Sequence, residues 1–291
     1  MEKTGMTAGV DSYKVLAEYY DDAYAAKKDL VDLPFYSALA KRIGGPVLEI
    51  ACGTGRVLLP IARQGIEIHG VDNSPAMLNV LRKHLQSEPE EVRKRVSISG
   101  GDMRTFRLGK KYRLVTLPFR PMLHMHTLED QIDALKTAAL HLEEDGVLAL
   151  DIFYPKFDVI FLSLGEEIPE MEWPLQSDPT KTVRRYFRKE SVDKINQSIS
   201  ATFIFRTYQG DQLLKEETEP VKMSYYTYPH LQALFLLAGL EPVEEYGTFA
   251  QTPLDNSSTD MIFVLRAAPG KIAATSDYFR SGGKVQGKKR G

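Results

Sequence analysis

The chain has a single cysteine and a single tryptophan in 291 residues, and no excess of charge of either sign. It also lacks any apolar run of membrane-spanning length: Leu231–Leu240 is the longest candidate, far short of the ~18 residues a spanning helix needs. Each lack removes a class. One thiol, Cys52, excludes an intrachain disulfide and a cysteine-cluster metal site. Residues 1–10 carry no basic-then-apolar signal pattern, so the expectation is a cytoplasmic protein away from membranes. Lys and Arg number 37 against 39 Asp and Glu, a formal net charge of −2. Segment 268–291 holds six cations and one acid, leaving the remainder near −7, a poor template for duplex nucleic acid. That segment is rich in Gly, Ser, Lys and Ala without an apolar period and is expected to be a disordered basic tail.

What is present centres on Val47–Val57, an apolar strand running into Gly53-Thr54-Gly55 and then into the apolar helix start Val57-Leu58-Leu59. Glycines there let the backbone turn tightly and approach a ligand. A dinucleotide fingerprint wants a third glycine, but position 58 is Leu58, which weakens an NAD or FAD reading. A second strand ends in Gly70-Val71-Asp72-Asn73, and Ser74-Pro75 opens a helix. Asp72 at that strand tip can accept two hydrogen bonds from a ribose diol, a feature of both NAD and S-adenosylmethionine (SAM). A third strand ends in Gly101-Asp102-Met103, and a fourth in Leu117-Pro118-Phe119.

The run Glu49-Ile50-Ala51-Cys52-Gly53-Thr54-Gly55, followed in order by these three stations, resembles the class I SAM-dependent methyltransferases. The resemblance implies SAM as cofactor and S-adenosylhomocysteine as product, with Ala51, Cys52, Gly53, Gly55 and Arg56 packed on its methionine half. Glu49 would tie the glycine loop or reach the cofactor's amino group. Asp72, Asn73 and Met77 would serve the ribose side, and Asp102 and Met103 the adenine. Leu117 and Phe119 would line the reaction centre. An N-terminal helix with a Tyr-Tyr-Asp pattern like Tyr19-Tyr20-Asp21 folds over the cofactor in this family, which makes Tyr20 a candidate beside the sulfonium through cation–π attraction.

Strands and helices alternate: strand 46–51, helix 55–64, strand 66–71, helix 75–87, strands 96–100 and 112–118, helix 129–143 and strand 146–153. This predicts an α/β protein with a doubly wound, Rossmann-like, seven-stranded and mostly parallel sheet. Segment 155–180, with Trp173-Pro174 and Asp178-Pro179, reads as irregular. Three long alternating runs follow, Thr182–Val192, Ile195–Tyr208 and Gln212–Tyr226, as a small antiparallel sheet. Helix 229–238, stopped by Gly239, and strands 241–248 and 260–267 close the core. The expected organisation is a helical lid over 1–44, a SAM-binding core over 45–155 and 229–267, and an insertion over 156–228 that roofs the active site. An insertion so placed resembles the sugar-amine N-methyltransferases and their small-molecule relatives. An open edge of the small sheet could pair with a second copy, giving a homodimer.

His124, a few residues past the fourth strand, is the polar candidate for orienting an amine or taking a proton near neutral pH. His126 is weaker, and Arg120 could meet an acidic group. Trp173, Tyr225, Tyr226 and Tyr228 are candidate pocket walls. The expected reaction is methyl transfer to a small-molecule amine, with oxygen methylation, or nucleic-acid or protein methylation, as alternatives. Leu117-Pro118-Phe119-Arg120 does not match the Asn- or Asp-Pro-Pro-aromatic motif of nucleic-acid amino methylation, and Cys52 is misplaced for attack on a cytosine ring.

Overall fold

The computed structural model describes residues 14–27, 31–161 and 163–268. The basic tail expected over 268–291 lies almost wholly outside them, as do residues 1–13 and 28–30 of the lid expected over 1–44. Eleven strands form two sheets among the described residues. The larger takes β1 (Val47–Ile50), β2 (Ile68–Asp72), β3 (Val96–Gly100), β4 (Tyr112–Leu117), β5 (Leu142–Phe153), β10 (Leu240–Tyr246) and β11 (Asp260–Ala267) in the order β10-β11-β5-β4-β1-β2-β3. All neighbours pair in parallel except β11, which is antiparallel to both β5 and β10. β1 is buried throughout, and β4 at five of its six residues, which is why both read as apolar runs rather than alternating ones.

The chain winds outward from β1 through β2 to β3, then returns to place β4 on the other side of β1. That reversal opens a crevice beyond the carboxyl ends of β1 and β4, where ligands bind in open α/β sheets. The backbone is strained there: Ala51 (φ 57°), immediately after β1, and Phe119 and Arg120 (φ 67° and 65°), just after β4, are left-handed non-glycine residues.

The missing third glycine has a structural counterpart. A Cβ on Gly70 of β2 would collide with Leu58 at the start of helix α3 (Leu58–Arg63) and lie 2.8 Å from the Cys52 sulfur. The close helix–strand approach is thus supplied from the strand side, with Leu58 filling the gap. Helix α3 is shorter than expected because the loop before it takes left-handed turns at Ala51, Gly53 and Gly55.

The smaller sheet takes β6 (Glu167–Leu175), β7 (Asp178–Asp193), β8 (Ser198–Gln209) and β9 (Gln212–Ser224) in that order, all antiparallel. Segment 155–180 is therefore not irregular: it holds helix α7 (Phe157–Phe161) and the whole of β6. Pro169 and Pro174 disguise β6, yet it is an edge strand with pairing irregularities beside both prolines, the places where a sheet tolerates proline. Strand β5 likewise begins earlier than expected. Gly146, the expected start, is a tight point within it, where a Cβ would press on the Tyr112 carbonyl and the Glu143 backbone.

Helix α1 (Lys14–Ala25) bridges the two sheets. Toward the small sheet, the Leu16 amide donates to Glu219 (2.6 Å) and the Tyr19 hydroxyl to Glu217 (2.7 Å). Toward the core, Asp21 accepts from the Thr54 hydroxyl of the glycine loop (2.8 Å), and His84 spans from Asp21 (3.1 Å) to the Thr54 carbonyl (3.0 Å).

Candidate active site

The glycine loop is held from below by two buried acids. Asp72 accepts from the Gly53 amide and the Ser74 amide, one on each oxygen, both at 2.8 Å. It thereby ties β1's loop to the entry of helix α4 (Pro75–Gln86), which Ser74 caps by accepting from the Met77 amide. Burial raises the Asp72 carboxyl against these bonds and a third from the Asn73 amide, and the carboxylate has acceptor capacity left for a further donor. Glu49, in the middle of β1, accepts from the Leu58 amide through one oxygen. Its Oε2 is buried with no hydrogen-bond partner, and desolvation pushes the carboxyl up to about 8. A Cβ on Gly53 would enter open space, whereas one on Gly55 would strike Leu81.

Over the loop lies an aromatic and cationic layer. Arg56 is paired through both Nη nitrogens to buried Asp32 of helix α2 (Asp32–Ile43), at 2.5 and 3.0 Å. Its guanidinium lies 4.8 Å from the Phe119 ring centroid and bonds the Tyr20 hydroxyl, whose own ionisation burial opposes. Tyr20 packs on Tyr24 (4.4 Å), and Tyr24 meets Phe119 edge-on (5.0 Å). Ala51, Gly53, Gly55, Arg56, Glu49, Asp72, Tyr20 and Phe119 thus gather at the crevice. Leu117 is buried in the core beneath it, Cys52 is buried with its thiol pushed up, and Met77 packs against α1. Asn73 is exposed.

Asp102 and Met103 follow β3, one strand beyond Asp72. Met103 packs partly against the core. Asp102 accepts on both oxygens from Arg104, which lowers its carboxyl, and Arg104 continues to Asp130 at 2.7 Å. Any ligand donor there has to share Asp102 with a guanidinium.

His124 ends a 3-10 turn (Pro121–His124) and hydrogen-bonds the backbone of Lys222 on β9. Burial drives its imidazole down to about 4, so it is uncharged at neutral pH. His126 meets the Ser224 hydroxyl (3.4 Å), and Tyr226 donates to the Met122 carbonyl (2.6 Å), fastening the small sheet to the turn. Arg120 pairs with Asp260 (2.7 Å). Tyr225 packs against α7 and Tyr228 meets Glu245, so neither lies at the crevice. Trp173 is buried against Tyr19.

Sequence reasoning missed Asp151. Fully buried in β5, it accepts from the Phe119 amide (2.8 Å) and the Tyr36 hydroxyl (2.6 Å) through one oxygen. Its carboxyl is raised to about 6 by desolvation. It therefore fixes the strained Phe119 backbone. A lone acid in Leu148-Ala149-Leu150-Asp151-Ile152 was the available signal.

The residues fit SAM. The orphaned Glu49 oxygen suits an α-ammonium, the Asp72 lone pairs suit a diol, and open space lies above Gly53. Glu49 then makes binding pH-dependent. An ammonium favours the carboxylate, so binding below pH 8 releases a proton, and affinity rises toward pH 8 by up to ~10-fold per unit before levelling. Calorimetry between pH 6 and 9 checks this, with Glu49→Gln expected to flatten the slope and an equally steep slope in that variant refuting it.

Residues 47–146 match a family described as a methyltransferase domain. The cypemycin N-terminal methyltransferase of a Streptomyces species is 27% identical over 223 residues, 76% of this chain and 83% of that one. The dTDP-3-amino-3,6-dideoxy-alpha-D-glucopyranose N,N-dimethyltransferase of Streptomyces fradiae is 30% identical over 161 residues, 52% of this chain and 59% of that one. Among solved structures, the CcbJ methyltransferase of Streptomyces caelestis superposes with a TM-score of 0.73 at 26% identity, covering 89% of this chain and 99% of that one. With the glycine loop, the strand-tip acid and the switch-point crevice, these similarities identify the chain as a class I SAM-dependent methyltransferase.

Proposed function

We propose that the protein methylates an amine nitrogen of a small-molecule acceptor held between the end of β4 and the small sheet. The observation that carries this reading is His124: an imidazole kept neutral by burial, on the turn that joins β4's end to β9. When bound, SAM supplies an electrophilic methyl on its sulfonium, and transfer is an in-line displacement governed by positioning and exclusion of water. In this reading Glu49, Asp72 and the 51–56 loop hold the cofactor, with Asn73, Met77, Asp102 and Met103 along its nucleoside half. Phe119 and Tyr20 wall the methyl, and Leu117 backs them. A neutral His124 accepts a hydrogen bond from the acceptor N–H and aims the nitrogen lone pair. Lowered by burial, it does not take up a second proton at neutral pH, so the amine proton leaves to solvent. Desolvation in the crevice favours the uncharged amine.

The relatives support nitrogen as the target, since their names describe methylation of a peptide N-terminus and of an amino sugar. The same reading has the enzyme working in the cytoplasm on a small molecule rather than on nucleic acid. No helix among the described residues is long and apolar enough to cross a membrane. The 1–44 lid, the core and the 156–228 roof are the working divisions.

Methyl-labelled SAM offered with 3-amino-3-deoxyglucose and with glucose tests the nitrogen choice: label is expected in the amine alone, and label in the hydroxyl compound alone contradicts it. His124→Asn, which keeps a hydrogen-bonding group, should retain more than about a tenth of wild-type kcat, and His124→Ala should lose about 100-fold. A wild-type rate in His124→Ala removes the residue from the site.

A further inference from the structure

The side of the small sheet that faces α1 carries a buried cation held, among the described residues, by a single ion pair. Val183, Arg185 and Phe187 alternate along β7 on that face, opposite Thr207, Phe205 and Phe203 of β8. Arg185 is only 7% exposed. Its guanidinium stacks 5.0 Å from the Phe203 centroid, and its Nε lies 2.9 Å from Glu170 on β6. Yet that Nε is buried without a well-formed hydrogen bond, because Glu170 stands off the N–H direction. Arg56, whose Nε is equally without a hydrogen-bond partner, is met bidentately through its Nη nitrogens by Asp32, whereas Arg185 has Glu170 alone among the described residues.

The location is suggestive in a second way. The Glu170 side chain is about a third exposed, so the pair opens to solvent on one side. Lys27, just past α1, favours the ionised form of Glu170 and lies over Tyr24 (5.6 Å), the ring that meets Phe119 edge-on. Arg185 and Lys27 therefore set positive charge on the sheet side of α1's end, with the Phe119 wall on the other.

We propose that Arg185, stacked on Phe203 and aided by Lys27, receives an anionic group of the methyl acceptor, so that the acceptor is an amine bearing a carboxylate or a phosphate. This deepens the functional reading above and rests on it for the word acceptor; the anion site itself does not require SAM.

The protein's single tryptophan supplies the probe. Trp173 pairs in register with Val183, two residues from Arg185 on the same face. The full chain, alone and loaded with S-adenosylhomocysteine, is titrated with pyrophosphate and with succinate while Trp173 emission is recorded. A saturable change with either anion in the wild type is expected, and which anion produces it distinguishes a phosphate ester from a carboxylate. Arg185→Gln should weaken that binding about tenfold or more, and Arg185→Lys should recover part of it. S-adenosylhomocysteine affinity by calorimetry should stay unchanged in both variants, which shows that they fold. No response to either anion, or an equal response in Arg185→Gln, overturns the proposal. Absence of S-adenosylhomocysteine binding in the wild type, with the anion response intact, would instead overturn the methyltransferase reading.

Discussion

Asp72→Ala should weaken SAM binding by about 100- to 10,000-fold, measured by calorimetry at pH 8. The side chain serves two sets of donors. It holds the Gly53 and Ser74 amides at 2.8 Å, which fixes the loop against the entry of α4, and in the proposed reading its remaining acceptor capacity takes the ribose diol. A hydrogen bond to a charged group contributes about 1.5–3 kcal/mol, and two lost to the diol account for the predicted range at ~1.4 kcal/mol per decade. Asp72→Asn should lose less, because its amide oxygen can still accept from one backbone donor and one hydroxyl. Equal losses in the two variants would mean that only the charge matters.

Arg56→Met should lower the melting temperature by on the order of 10 °C. Asp32 is 3% exposed, and its two oxygens are met by the two Nη nitrogens of Arg56. Removing one member of a buried pair strands the other charge at a cost of about 3–5 kcal/mol, and each kcal/mol moves the midpoint by ~2–4 °C in a chain of this size. The same substitution removes the cation over Phe119 and the partner of Tyr20. The double variant Asp32→Asn, Arg56→Met should recover much of the lost stability, since no bare charge remains, while SAM affinity stays low. A single variant as stable as wild type would show that the pair is not what anchors α2 to the glycine loop.

The core was legible in the sequence because its strands are buried on both faces and its loops are punctuated by Gly53, Gly55 and Ser74-Pro75. Chemistry at those loops is local, so Gly53, Asp72 and Phe119 could be placed from the order of motifs alone. Two kinds of feature escaped. Strand β6 was hidden by Pro169 and Pro174, whose breaker meaning holds inside a sheet but not at its edge. The partners that shape the site were hidden by distance along the chain: Asp151 reaches Phe119 across 32 residues and Tyr36 across 115, and Arg56 reaches Asp32 across 24. No period or spacing encodes such pairs. The chemistry of His124 was also partly out of reach, because an imidazole beside neutral pH in the sequence becomes an uncharged one once β9 covers it.

The most direct test of the whole account is calorimetric titration of the wild-type chain with SAM, S-adenosylhomocysteine and NAD at pH 8. Saturable one-to-one binding of SAM and S-adenosylhomocysteine, with none for NAD, is the predicted result. Binding of NAD without SAM, or of neither, would contradict the assignment of the β1–β4 crevice and the role of every residue placed in it.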